Sequence, residues 1–137
     1  MIEQIKIKEI QAAIKKCIDE NTSFTCYELP PKNHKGTFCM LELTGAIRNN
    51  SKTSQGVKLE FFISVFTEGL SSLKIYDAAE ELSRALTSEI EVDKCNYQVL
   101  RSTGGELIYN TVDRVFKERR QTYKYVFEVF SNNNILE

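Results

Sequence analysis

From Val57 to Val65 every second residue is apolar: Val57, Leu59, Phe61, Ile63 and Val65. Lys58, Glu60 and Ser64 lie between them. A strand sends successive side chains to opposite faces, so this run specifies a strand with one face buried. Phe62 and Phe66 fall on the otherwise polar face. That face therefore also needs partial cover, from a helix or another subunit. The strand requires partners, and the sequence offers two long ones. Residues 37–48 carry Phe38, Cys39, Met40, Leu41 and Leu43, and residues 121–130 place Tyr123, Tyr125, Phe127 and Val129 on one face. Shorter extended runs occupy 24–29, 97–102 and 106–112, with a turn at Gly104-Gly105.

Two segments carry the helical period instead. In 2–20, Ile7, Ile10, Ile14, Cys17 and Ile18 recur at steps of three and four, with Asn21 suited to end the helix. In 72–87, Ile75, Ala79, Leu82 and Leu86 form one stripe beside Ala78 and Ala85, with Ser71 or Ser72 as the cap. The connection 49–56 is polar, ends in Gly56 and reads as a mobile tip. Residues 87–94 read as an acidic connector, and 114–120 fit either a strand extension or a helical turn. The predicted order is α-β-β-β-α-β-β-β. Helices and strands do not alternate strictly, so the expected fold class is α+β: a mainly antiparallel sheet with two helices packed on one face. The chain of 137 residues reads as a single domain, 1–137, long enough to build its own core.

Composition excludes more than it assigns. Apolar residues make up 42% and charged residues 27%, which is too apolar for disorder. The net charge of −1 argues against a dedicated nucleic-acid binder. No stretch reaches membrane-spanning length, and charges interrupt the opening residues too often for a signal peptide. Cys17, Cys26, Cys39 and Cys95 lack the paired spacing of a zinc site and read as reduced, mostly buried small side chains. His34 is the only imidazole and lies in a loop between Pro31 and Gly36. Glu89, Glu91 and Asp93 lack the glycine and later glutamate of a calcium loop. Gly104-Gly105 is not followed by Gly-Lys-Ser/Thr, so it makes no phosphate loop. The expectation is a protein that is not an enzyme, with no cofactor and no metal.

One basic cluster stands out: Arg114, Lys117, Arg119, Arg120 and Lys124. It reads as a solvated bend, as a contact for an acidic partner surface such as Glu89, Glu91 and Asp93 of a neighbouring subunit, or as a phosphate contact. Five phosphate contacts would give a steep salt dependence, with a slope of about −4 to −5 in log units.

The pattern of elements resembles the tail terminator, or tail-to-head joining, proteins of tailed phages, as in Firmicutes prophages. The resembling stretches begin with the opening helix and the strand Phe38-Cys39-Met40-Leu41-Glu42-Leu43. The strand 57–66, the middle helix from Leu73-Lys74-Ile75-Tyr76-Asp77 through Leu82 to Leu86, and the closing strand 123–130 complete them. The arginine-rich strand common before the middle helix in that family is not matched, since this strand carries Lys58 and Glu60. The resemblance implies a homo-oligomeric, hexameric ring on the end of the tail tube. Its partners would be further copies of itself, the tail tube protein and a head-completion or neck protein. DNA would pass through the lumen without being specifically bound, and no membrane would be involved. Assembly would occur in the host cytoplasm, with the protein ending at the tail–head junction of the virion. Phe62, Phe66, Arg114, Lys117, Arg119, Arg120 and Lys124 are the expected subunit or partner interface. Asn49, Asn50, Ser51, Lys52 and Gly56 are the expected docking loop. The alternatives are a head-closure or neck connector and, from another class, a small ligand-binding or enzymatic α+β domain relying on His34 or Glu89.

Overall fold

The computed structural model describes residues 6–29, 31, 36–48, 55–87, 90–92, 97–101 and 105–131. In chain order the elements are α1 (Ile7–Asn21), β1 (Thr25–Tyr27), β2 (Phe38–Arg48), β3 (Gln55–Glu68) and α2 (Ser72–Ala85). They continue with β4 (Ile90–Glu91), β5 (Tyr97–Arg101), β6 (Glu106–Asp113) and β7 (Glu118–Ser131). The fold class is α+β with a mainly antiparallel sheet, as the sequence predicts.

The alternating run lies in β3 and organises everything around it. β3 pairs with β7 along its full length, from Gln55↔Ser131 to Glu68↔Glu118. On its other side it pairs with β2, with a bulge between Leu43 and Gly45. The sheet order over the described residues is β1-β2-β3-β7-β5-β4, and β6 also pairs with β7. β5 takes the Phe127–Ser131 half of that edge and β6 takes the Glu118–Lys124 half. One edge of β7 is thus covered by two strands in series.

The register puts Val57, Leu59, Phe61, Ile63 and Val65 on the same face as Tyr123, Tyr125, Phe127 and Val129. Both helices lie on that face. α1 contributes Ile10, Ile14 and Ile18, all fully buried, at about 1.5–3 kcal/mol each for removing such side chains from water. α2 contributes Ile75, Ala78, Leu82 and Ala85. Polar clips fix the helices. Asp19 accepts the Cys26 amide at 2.7 Å, tying α1 to β1. Both Glu81 oxygens accept from Ser23, from its amide at 2.8 Å and its hydroxyl at 2.9 Å. Cys17 Sγ donates to the Ala85 carbonyl at 3.2 Å.

Several boundaries differ from the sequence reading. α1 starts at Ile7 rather than Ile2, with Lys6 at the cap position; residues 1–5 lie outside the described set. The acidic connector contains a two-residue strand, because Ile90 and Glu91 pair with Val99 and Gln98. Residues 114–117 form a turn and β7 begins at Glu118, so the ambiguous stretch divides between the two. Gly56 is not part of a loop: it sits buried in β3 opposite Phe130. Strand pairing extends past the alternating run because the β7 backbone continues to offer a partner. β1 runs parallel to β2, the one parallel pair among the described strands. The polypeptide passes from α1 through bends at residues 22–24 into β1, and residues 28–37 separate β1 from β2 in sequence.

Candidate interaction surface

The sheet face opposite the helices carries the side chains that the core does not use. Phe38, Phe62, Ser64, Phe66, Arg120, Thr122 and Lys124 alternate onto it from β2, β3 and β7. β6 joins them through an irregularity between Leu107 and Tyr109. Leu107 pairs with Tyr123 on the helix side, and Tyr109 pairs with Thr122 on the open side. Regular alternation would put Tyr109 on the same side as Leu107. The extra residue, Ile108, switches the face, as a bulge does.

The result is a groove of about 360 Å³. Its walls include Met40, Phe62 and Tyr109, and Glu28, Glu42 and Arg120 also border it. Its floor contains a buried polar pair: the Ser64 and Thr122 hydroxyls are 2.8 Å apart. The Arg120 guanidinium donates to Ser64 Oγ at 3.3 Å and lies 5.1 Å from the Phe66 ring centroid. Phe66 stacks on Phe38 at 4.6 Å with the rings 5° apart, and Phe38 meets Tyr27 edge-on at 6.0 Å. This aromatic row ends at Arg120.

The expected basic cluster does not act as one patch. Arg114 and Lys117 sit exposed in the turn between β6 and β7. Arg119 points to the helix side and donates to the Leu70 carbonyl at 2.6 Å, holding the β3–α2 turn. Arg120 lies on the open side over Phe66. Lys124 faces Glu60 at 3.8 Å and Glu106 at 3.6 Å; half-exposed pairs of this length stabilise little. Strand alternation separates Arg119 from Arg120, a consequence of β7 beginning at Glu118. Of the two expected interface rings, Phe62 lines the groove, whereas Phe66 is stacked within the chain between Phe38 and Arg120. Asn49, Asn50, Ser51, Lys52, His34, Glu89, Asp93 and Cys95 lie outside the described residues.

Residues that the sequence reading missed sit at the turn tip and on β6. Val115 and Phe116 are strongly exposed, and so are Leu107 and Tyr109. The available signal was the pair of large apolar residues inside a turn, where glycine, asparagine and aspartate are usual. On the helix side, burial raises the Tyr123 phenol above its ordinary pKa, with the nearby Tyr76 adding to the shift. Tyr123 donates to Gln121 Oε1 at 2.6 Å, and Gln121 in turn donates to Asn110 Oδ1 at 3.4 Å. Cys39 is held as a thiol by its contact with Cys26 and by burial. Among the described residues, no three His, Cys, Asp or Glu side chains gather as a metal ligand set. Among them also, no helix is long and apolar enough to cross a membrane.

No protein-family model matches the chain, and no curated protein matches it. Solved structures do. One is a chain from the virion of the native gene transfer agent particle, 18% identical, with a TM-score of 0.67 over 94% of this chain and 100% of that one. A second, whose description names no function, is 14% identical, with a TM-score of 0.61 over 98% of this chain and 100% of that one. The chain therefore shares its fold with a chain of the native gene transfer agent particle.

Proposed function

We propose that this protein is a structural component of a phage-like particle: a tail terminator that forms a ring on the end of the tail tube and joins it to the head. The observation that carries the reading is the extent of the match, since a virion chain is covered over 100% of its length. A shared hairpin or a lone helix-on-sheet unit would cover only part. The resemblance to tail terminators supplies the finer role. In this reading the working surface is a set of protein contacts and not a reaction centre.

A ring needs heterologous contacts that close by rotation. The open sheet face and the β6–β7 turn supply two different, partly apolar surfaces for such contacts. Phe62, Arg114, Lys117 and Arg120 are the interface residues this reading favours; Phe66, Arg119 and Lys124 act mainly within the chain. The segment 49–54 remains a docking element for tube or head in this proposal. A stable contact requires roughly 800 Å² per partner, more than the groove alone provides, so strand edges would have to contribute.

Purified protein mixed with the cognate tail tube protein tests the reading. The expected result is tubes capped at one end by a ring, seen by negative-stain microscopy, and a closed oligomer by native mass spectrometry. Binding to portal-associated proteins, with no binding to tubes, would assign the chain to the neck. A protein that stays monomeric at every concentration, with and without tubes, would end the ring proposal.

A further inference from the structure

We propose that the β6–β7 turn of one copy seats in the open-face groove of a second copy, with Val115 and Phe116 as the inserted residues. This rests on the ring reading and names the surfaces that would meet. Val115 and Phe116 are 84% and 80% exposed. They are not carried on a floppy loop. Asp113 Oδ1 accepts the amides of Val115 at 3.0 Å and Phe116 at 3.1 Å. The Lys117 carbonyl accepts the Gly69 amide at 2.5 Å, fastening the base of the turn to the end of β3. Lys117 itself takes a positive φ of 52°, a conformation that lysine seldom adopts and that the closed turn imposes. A pre-ordered apolar tip loses little freedom on docking, which favours its use as an anchor.

The tip cannot reach its own groove. Arg120 and Thr122, at the groove, belong to β7, the strand that the turn leads into, and the ladder from Asp113↔Glu118 to Glu106↔Lys124 holds the hairpin extended. A second copy meets no such constraint. A cavity of about 150 Å³ accepts a benzene ring, so the groove of about 360 Å³ has room for a phenyl ring. Arg114 and Lys117 flank the inserted pair, and of the three charged side chains that border the groove two, Glu28 and Glu42, are acidic and the third is Arg120, which leaves a net negative rim. Arg120, over Phe66 at 5.1 Å, is placed to take a second ring on its guanidinium. Tip and groove are different surfaces, so the contact is head-to-tail and propagates from copy to copy.

The test uses the full chain in sedimentation velocity and native mass spectrometry. Phe116→Asp should weaken self-association at least ten-fold while leaving the thermal transition in place, because the residue is exposed. Two charge-reversed chains are then compared: Arg114→Glu with Lys117→Glu, and Glu28→Lys with Glu42→Lys. Each alone should fail to form the wild-type oligomer, and a one-to-one mixture should recover it, because every tip then meets an opposite rim. Wild-type association in either reversed chain alone, or no recovery on mixing, overturns the proposal. Variants that keep the ring but lose tube binding would assign the tip to the tube, overturning the contact between copies and leaving the ring reading intact. A wild-type chain that neither associates nor caps tubes would remove the ring reading itself.

Discussion

β3 and β6 are both antiparallel neighbours of β7, both are rich in apolar residues, and they have opposite fates. β3 buries Val57, Leu59, Phe61, Ile63 and Val65 beneath two helices. β6 exposes Leu107, Tyr109 and Val112 to solvent. The ladder to β7 makes both of them strands, but only β3 faces the helices on one side and has strands on both edges. Extended structure thus follows from backbone pairing, while the stabilising effect of an apolar side chain depends on what covers it. β6 is carried by its neighbour, and its apolar side chains stay exposed.

Phe61→Ala should break the fold's core and cost about 3–5 kcal/mol, the usual range for emptying a fully buried ring site. Tyr109→Ala, at 57% exposure, should stay within about 0.5 kcal/mol. Urea unfolding of the two variants measures the contrast directly. Comparable losses would mean that β6 belongs to the core.

Gly105 marks a place where the approach to β6 bears on that core. A Cβ there would stand 2.6 Å from the Tyr125 ring carbon Cζ and from its hydroxyl oxygen. Tyr125 is buried and cannot swing away freely. Gly105→Ala should therefore destabilise by about 1–3 kcal/mol, as overpacking does. A calorimetric melt would show it as a lowered Tm.

At the far end of β3, Thr67 is buried and its hydroxyl has no hydrogen-bond partner among the described residues. An unpaired buried hydroxyl carries a desolvation cost, so Thr67→Val should raise stability by about 1 kcal/mol. A neutral result in denaturant unfolding would mean that a water satisfies the hydroxyl.

A further effect is expected at alkaline pH. Cys39 lies opposite Val65 of β3 in the ladder, and its thiol's folded pKa lies above the ordinary 9.0 through its contact with Cys26 and burial. Below 9.0 both states keep the proton. Above it the unfolded chain releases a proton that the folded chain retains, so stability falls as pH rises past about 9. Melts at pH 8 and pH 10 should show a lower Tm at the higher pH. Cys39→Ala should shrink the difference without abolishing it, because Cys17 and Tyr123 are shifted in the same direction.

Most of the fold could be read from periodicity. The alternation from Val57 and the three- and four-residue steps of Ile10, Ile14 and Ile18 locate β3 and α1 because burial on one face dictates them. Ile90–Glu91 could not be read this way: two residues are too few for a pattern, and their pairing with β5 depends on long-range placement. Gly56 looked like the end of a loop because glycine usually breaks a strand, yet β7 supplies a partner, Phe130, at that level. The candidate surface was only half legible. Phe62 announced itself by interrupting a polar face. Tyr109 did not, because a single extra residue in β6 decides which side it takes. Arg119 and Arg120 looked like one patch in sequence and lie on opposite faces in space.

The central position of β7 sets a condition on synthesis. It follows the other described elements in sequence, yet β3, β5 and β6 all pair with it. A nonsense codon anywhere before Glu118 would leave β1, β2 and β3 with no strand to join them to β5 and β6. Such a fragment would carry neither a finished turn nor a finished groove. The ladders that join the two halves of the sheet therefore close only once the last strand has been made.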